Sequence, residues 1–325
     1  METMGRKPEE IAGFIRGAET IALCSHVNPD GDTLGSAAAM KIALEQLGKH
    51  VSLFCDGKVP DQLAFLPGAD QFRVPDGTEG PFDLMLAIDV SDPKRLGACI
   101  RLKEVSARTA QIDHHPTNPM YMELNSVDGG APATAVMIRE QLRSLGVELN
   151  PDIATCLYTG VSTDTGNFSF ASTTAECFEI MSELMGQGLK LARLNRRLFR
   201  DRAMPQVLLL GKALGSLKYY ENGRIAAMKL TRDDFTACGA MSEHADTLVN
   251  FGLDTVGTRM AMMAREAGDG RIKFSLRAKE PDTINDVAQQ FGGGGHPQAA
   301  GITMDGTLDE DAEKVLQALI RKLNG

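Results

Sequence analysis

Apolar residues along the first 190 positions fall into two alternating patterns. Ile11, Phe14 and Ile15 recur at helical spacing across 8–17, and 20–24 is a short apolar strand followed by a loop over 25–32. Positions 34–47 predict a helix that stops at Gly48, a usual carboxyl-terminal stop. A second strand is expected over 51–55. Residues 84–90 are almost continuously apolar, the mark of a parallel strand buried on both faces. A further strand covers 109–112, with Asp113 at its end. Helices follow over 133–145, stopped by Gly146, and over 151–160, where Pro151 takes an early helical position. Strands alternating with helices predict a doubly wound α/β domain over residues 1–189.

The pattern changes at 190–206, a basic stretch that is apolar only at intervals and ends near Pro205. It reads as a helical linker, and equally as an amphipathic surface helix; the two are compatible. A smaller α/β unit is expected over 207–325, with strands at 223–230 and 271–278 and helices at 284–291 and 309–323. Between the first of these helices and a short strand at 302–304 lies a glycine-rich run from Gly292 to Gly301. No repeat at solenoid period is present.

The formal net charge of −9 argues against an extended basic face for duplex DNA, while leaving room for a nucleotide or short oligonucleotide in a local basic pocket. With no Trp and four Tyr, extended base-stacking platforms are not expected. None of the six Cys forms C-x-x-C and most sit in apolar runs, which predicts reduced, buried thiols rather than disulfides or zinc ligands. The amino terminus carries charges inside its short apolar pattern, and no apolar run reaches membrane-spanning length. A soluble cytoplasmic protein without a membrane partner is expected.

Chemistry concentrates where apolar runs end. His26, Asp30 and Asp32 share one loop in which Pro29 and Gly31 enforce a tight turn. Gly35 and Ser36 open the next helix, whose amides favour anions. Asp30 and Asp32 could instead simply turn the chain and cap that helix. Asp89 follows an apolar strand, where a carboxylate is costly unless paired or metal-bound, or where it could cap the turn at 91–95. Asp113, His114 and His115 follow the strand at 109–112; adjacent imidazoles point apart, so one can ligate metal while the other meets substrate. Asp164 lies in a small, polar, Gly-flanked stretch of the kind that lines sites and also forms ordinary loops. Carboxylates and imidazoles on several loop ends suit divalent cations at the carboxyl edge of a parallel sheet, and so metal-assisted hydrolysis.

In the second unit, successive glycines at Gly293, Gly294 and Gly295 allow a backbone nest for phosphate, with His296 as a donor; a flexible loop with an incidental His is the alternative. Ser275 and Arg277 share one strand face, and Arg suits bidentate phosphate contact, although a surface ion pair would explain it equally. Arg259 and Asn250 are further candidates on a stretch read as helical.

Taken together, the run from His26 through Pro29, Asp30, Gly31, Asp32 and Gly35 to Ser36, the triplet Asp113-His114-His115 and the terminal GGGGHPQAAG resemble the DHH phosphoesterase superfamily with its associated carboxyl-terminal domain. The resemblance covers essentially the whole chain. Its length and domain pairing are most like the compact bacterial members that act as nanoRNases and 3′-phosphoadenosine 5′-phosphate phosphatases. It implies that His26 and Asp30 hold one Mn²⁺, that Asp32, His114 and Asp164 hold a second, and that Asp89 bridges them. Asp113 would support the site and His115 would face the scissile phosphate. The Ser-x-Arg strand and the glycine-rich loop would receive the nucleotide, with the active site in a cleft between the domains. Mg²⁺ or Co²⁺ are the alternative ions.

The implied reaction is in-line attack by a metal-activated water on short RNA, releasing 5′-mononucleotides. Competing readings are a hydrolase of linear cyclic-dinucleotide products, a pyrophosphatase-like enzyme, and a nucleotide-sensing module without turnover. A long single-strand exonuclease is disfavoured by the short chain. By base rate a homodimer is expected.

Overall fold

A computed structural model of the chain describes residues 5–325; residues 1–4, part of the charged amino terminus read above, lie outside the described residues. Two compact units are present, one ending at Asp201 and one running Arg202–Gly325. In the first, α1 (Pro8–Arg16), β1 (Thr20–Ser25), α2 (Gly31–Gln46), β2 (His50–Cys55), β3 (Phe82–Ile88), β4 (Ser106–Asp113) and β5 (Leu124–Val127) precede four helices. These are α3 (Thr134–Ser144), α4 (Pro151–Asp164), α5 (Ala175–Gly186) and α6 (Leu191–Phe199).

The five strands form one parallel sheet in the order β2-β1-β3-β4-β5. β1, β3 and β4 are buried along their carboxyl-terminal halves, which explains their near-continuous apolar runs. Chain order reverses between β1 and β3, and the crevice beyond the carboxyl ends of such a pair is where open α/β sheets bind ligands. All six helices of this unit place residues in the larger core, with Ile21, Leu23, Leu84 and Leu86 of the sheet. The opposite face, with Ala22, Cys24, Met85 and Ala87, is covered by 3₁₀ turns over Pro93–Lys103 rather than by full helices. That segment breaks at Gly97, whose φ of 53° interrupts the helical run.

α2 begins at Gly31, three residues before the expected start, because Asp30 Oδ1 accepts the N–H groups of Asp32 and Thr33. The helix is buried almost all round and packs closely on α4. Gly35 permits this: a Cβ there would sit 2.5 Å from the Cys156 carbonyl oxygen. α4 continues past residue 160 to Asp164, so the polar stretch read as a loop is the last turn of a helix.

The basic segment 190–206 is two pieces. α6 buries Leu194 and Leu198 in the first core, and α7 (Met204–Gly215) opens the second unit. There follow β6 (Lys218–Tyr220), β7 (Ile225–Leu230), α8 (Arg232–Cys238), α9 (Val249–Leu253), β8 (Met260–Glu266), β9 (Ile272–Ala278), α10 (Asn285–Gln290), β10 (Gly294–His296), β11 (Ala299–Met304) and α11 (Leu308–Asn324). The mixed sheet runs β10-β11-β9-β8-β7-β6, parallel only between β7 and β8. One face packs on α10 and α11; the other is covered over β7 and β8 by α7 to α9. All six cysteines are free and buried. No helix among the described residues is long and apolar enough to cross a membrane.

Candidate active site

The three central strands of the parallel sheet end at one level: Cys24 pairs with Ala87 and Ile88 with Ile112. His26, Asp89 and the Asp113–His115 triplet therefore leave the sheet side by side. Asp89 sits in the left-handed region at φ 62°, which Asp tolerates better than most residues, and its N–H bonds to the Ile112 carbonyl at 2.9 Å. This kink at the end of β3 turns the carboxylate between its two neighbours.

Asp89 divides its oxygens. Oδ2 lies 3.5 Å from His26 Nε2, and Oδ1 lies 3.6 Å from His114 Nε2. On the first side Asp30 Oδ2 is 3.4 Å from His26 Nε2. On the other, Asp164 Oδ2 is 3.1 Å and Asp32 Oδ2 4.0 Å from His114 Nε2. Three groups of potential ligand atoms thus gather: His26, Asp30 and Asp89; Asp32, His114 and Asp164; and Asp89, His114 and His115. All six residues expected as ligands meet at this edge.

The donor set fits divalent cations on grounds internal to the protein. His26 Nε2 is buried and has no hydrogen-bond partner, its carboxylate neighbours lying beyond the usual hydrogen-bond range. His26 Nδ1 faces the Val27 carbonyl at 2.8 Å and His114 Nδ1 faces the Ala131 carbonyl at 3.1 Å. A proton held on either Nδ1 leaves Nε2 as a lone pair aimed at the carboxylates. Without a cation, the surrounding carboxylates favour a proton in its place. Burial opposes charge on both imidazoles, but Asp30 and Asp89 hold the His26 pKa up at about 10, and Asp164, Asp32 and Asp89 do the same for His114. Burial, with repulsion from Asp89 and Asp164, pushes Asp32 well above the carboxylate range, and burial also raises Asp164. Burial pushes Asp30 the same way, but the His26 contact and the amides of Thr33 and Asp32 outweigh it and leave its pKa lowered. Clustered carboxylates of this kind are relieved by cations.

The rest of the triplet plays another part. Asp113 is fully buried; its Oδ1 lies 2.8 Å from His115 Nδ1, and its Oδ2 accepts from Asn118 Nδ2 at 2.6 Å. Asn118 is itself tied to the Val90 carbonyl and Gln111. Asp113 therefore orients the His115 ring.

Three contributors were not legible as site residues. Thr134, at the start of α3, donates its hydroxyl to Asp89 Oδ1 at 2.8 Å and its N–H to Asp32 Oδ2 at 2.6 Å. Arg95 Nη2 lies 3.1 Å from His26 Nδ1. Gly160 lets α4 approach: a Cβ there would lie 2.6 Å from Ala135 Cβ and 2.7 Å from Asp32 Oδ1. The only hint in the sequence is generic, a Thr at a helix start and a Gly in an apolar helix.

In the second unit, His296 pairs with Ala299 and Ala299 with Arg277, while Gly294 pairs with Gly301 and Gly301 with Ser275. Ser275, Arg277, Gly294 and His296 thus share one sheet face, with Ser275 and Arg277 half-buried and Gly294 and His296 exposed. Gly295 opposes Ala300 on the other face, and Gly293 donates its N–H to the Ala288 carbonyl at 2.9 Å. Part of the glycine-rich run is therefore an edge strand, paired with β11 on one side only. Arg277 is half-buried and donates to its own neighbour's carbonyl at Leu276; burial lowers its pKa. Arg259 is not on a helix. It precedes β8 and its guanidinium is held by Asp282, Nε to Oδ2 at 2.7 Å.

Comparison with known proteins places this geometry among relatives. Residues 20–161 match the model of the DHH family, N-terminal domain, and residues 224–325 match that of the DHHA1 domain. The chain is 35% identical over 315 residues to the bifunctional oligoribonuclease and PAP phosphatase NrnA of Thermus thermophilus, covering 96% of this chain and 93% of that one. It is 28% identical over 304 residues to the Bacillus subtilis protein of the same description, covering 93% and 94%. The solved structure of an exopolyphosphatase-related protein from Bacteroides fragilis superposes with a TM-score of 0.89 at 26% identity, covering 97% of this chain and 95% of that one.

Proposed function

This chain belongs to the DHH family of phosphoesterases, and from that membership we propose that it hydrolyses short oligoribonucleotides to 5′-mononucleotides with Mn²⁺, and 3′-phosphoadenosine 5′-phosphate in the same pocket. The observation that carries the reading is the divided carboxylate of Asp89, one oxygen toward His26 and the other toward His114. The names of the Thermus and Bacillus relatives support the substrate class. Mixed imidazole and carboxylate donors favour Mn²⁺ over Mg²⁺.

His26, Asp30 and Asp89 would hold one cation; Asp32, His114, Asp164 and Asp89 the other. When bound, such a pair supplies Lewis acidity and a hydroxide nucleophile at neutral pH. The protein's own groups do the rest. Thr134 fixes the rotamer of Asp89, and Asp113 fixes the ring of His115 so that Nε2 can donate to a phosphoryl or leaving oxygen. Ser275, Arg277 and His296 are the proposed contacts to the remainder of the nucleotide, with Gly293, Gly294 and Gly295 shaping that edge. A cytoplasmic setting and a homodimer belong to the same proposal.

The test is turnover of labelled RNAs from dinucleotides upward, of 3′-phosphoadenosine 5′-phosphate and of pyrophosphate, each across a divalent-cation series. Short RNA with Mn²⁺ is expected to be turned over fastest. Preference for pyrophosphate would defeat the proposal, and binding of nucleotides without turnover under any cation would favour a sensor.

A further inference from the structure

A cavity of about 900 Å³ in the first unit contains none of the side chains grouped around Asp89. Its wall begins three residues beyond Asp164, at Asn167 and Phe168. Four residues of chain reach at most about 14 Å, so the cavity opens close to the carboxylates. Its volume is that of a small-ligand site.

Asn167 and Phe168 stand at φ 56° and 64°. For a bulky aromatic residue this region is unfavourable, and such strain persists where surrounding bonds over-determine it, as at ligand clamps. Here Asn167 N–H bonds to the Ser162 carbonyl at 2.7 Å and Phe168 N–H to Thr165 Oγ1 at 3.1 Å. The result is to set the Phe168 ring 5.5 Å from that of Phe178, which is 57% exposed, with Met185 beside them. On the polar rim Asn195 Nδ2 donates to Asn167 Oδ1 at 2.8 Å. Arg196 is paired with Asp201, whereas Arg200 forms no ion pair among the described residues.

We propose that this cavity is a nucleobase pocket: the base stacks on Phe178, the Asn167–Asn195 pair meets its polar edge, and Arg200 takes an adjoining phosphate. An aromatic ring, an amide edge and an unneutralised guanidinium together match the three chemistries of a nucleotide and are not combined in a purely apolar contact face. The short chain path sets the Asn167–Phe168 wall of the pocket within about 14 Å of Asp164. For the substrate it names, the inference rests on the hydrolase reading.

The test uses the full chain. An adenine dinucleotide carrying 2-aminopurine is titrated in Ca²⁺, and stacking is read as fluorescence quenching. Quenching is expected in the parent protein, lost in Phe178→Ala and kept in Phe178→Tyr. With Mn²⁺, Phe178→Ala should raise KM for the dinucleotide about tenfold while kcat stays within about twofold, and an abasic dinucleotide should show no difference between the proteins. If the parent quenches the probe but hydrolyses no phosphoester under any cation, the hydrolase reading fails and the pocket stands. Robust hydrolysis with no effect of Phe178→Ala on KM or quenching overturns the pocket. A dimer that Phe178→Ala dissociates, without quenching in the parent, overturns it too and makes this face a contact between copies of the chain.

Discussion

Thr134 donates its hydroxyl to Asp89 Oδ1 across 2.8 Å, joining the first turn of α3 to the end of β3. The bond fixes the carboxylate that two sets of ligands share. Thr134→Val keeps the shape and removes the donor. Mn²⁺ affinity, measured by isothermal titration, is expected to fall about tenfold or more, as for other partners of metal ligands. Thr134→Ser restores the donor and should restore affinity; equal affinity in all three proteins would show the bond to be idle.

Asp113 touches no other ligand candidate but holds His115 Nδ1 at 2.8 Å. Asp113→Asn should cost about 100-fold in kcat on a dinucleotide, because the imidazole loses its preferred tautomer. Mn²⁺ affinity should change little. A parallel collapse of metal affinity would place Asp113 among the ligands instead.

Asp89→Ala should abolish turnover and reduce the number of tightly bound Mn²⁺, since both groups lose a member. Near-normal turnover in this variant would refute the shared role.

Gly160→Ala tests the packing that brings α4 to the site. Its new methyl would meet Ala135 Cβ at 2.6 Å and Asp32 Oδ1 at 2.7 Å, neither at the end of a flexible chain. Overpacking of this kind costs about 1–3 kcal/mol, visible as a lower urea midpoint. The displaced Asp32 should also weaken Mn²⁺ binding.

His26 and His114 carry pKa values raised from the ordinary 6.5 to about 10, Asp30 and Asp89 outweighing burial at the first and Asp164 with its neighbours at the second. A raised value favours the folded state fully below pH 6.5 and loses that contribution as pH climbs through about 10. Metal-free protein in chelator should therefore show a Tm that falls between neutral pH and pH 10. Adding Mn²⁺ should expel the imidazole protons, so calorimetry in buffers of different ionisation enthalpy should register proton release, and the Tm slope should flatten.

The strands that carry the site were readable because burial on both faces leaves an unbroken apolar run, as in residues 84–90, with a polar residue marking each exit. β5 was not readable: Leu-Asn-Ser-Val is four residues long and half polar. β8, Met-Ala-Met-Met-Ala-Arg-Glu, consists of residues that prefer helices and becomes a strand only between β7 and β9. The placement of Asp32 on α2 and of Asp164 on α4 also escaped the sequence, since glycines inside a helix read as loop until the neighbouring helix that needs them is known. The residues that gather around Asp89 could be picked out from residue type and order; the approaches of Thr134 and Arg95 depend on three-dimensional structure alone.

His26, Asp89 and the Asp113–His115 triplet leave the middle three strands, while the outer two, β2 and β5, supply none of the expected ligands. In the centre, a slip of one residue would turn alternate side chains to the opposite face and aim Asp89 away from both imidazoles. The margin at β2 carries no such obligation, and insertions in the long connection from β2 to β3 can accumulate without disturbing the chemistry. The margin at β5 is different: the turn after it brings the Ala131 carbonyl to His114 and Thr134 to Asp32 and Asp89, so it tolerates a gained or lost position no better than the interior of the sheet.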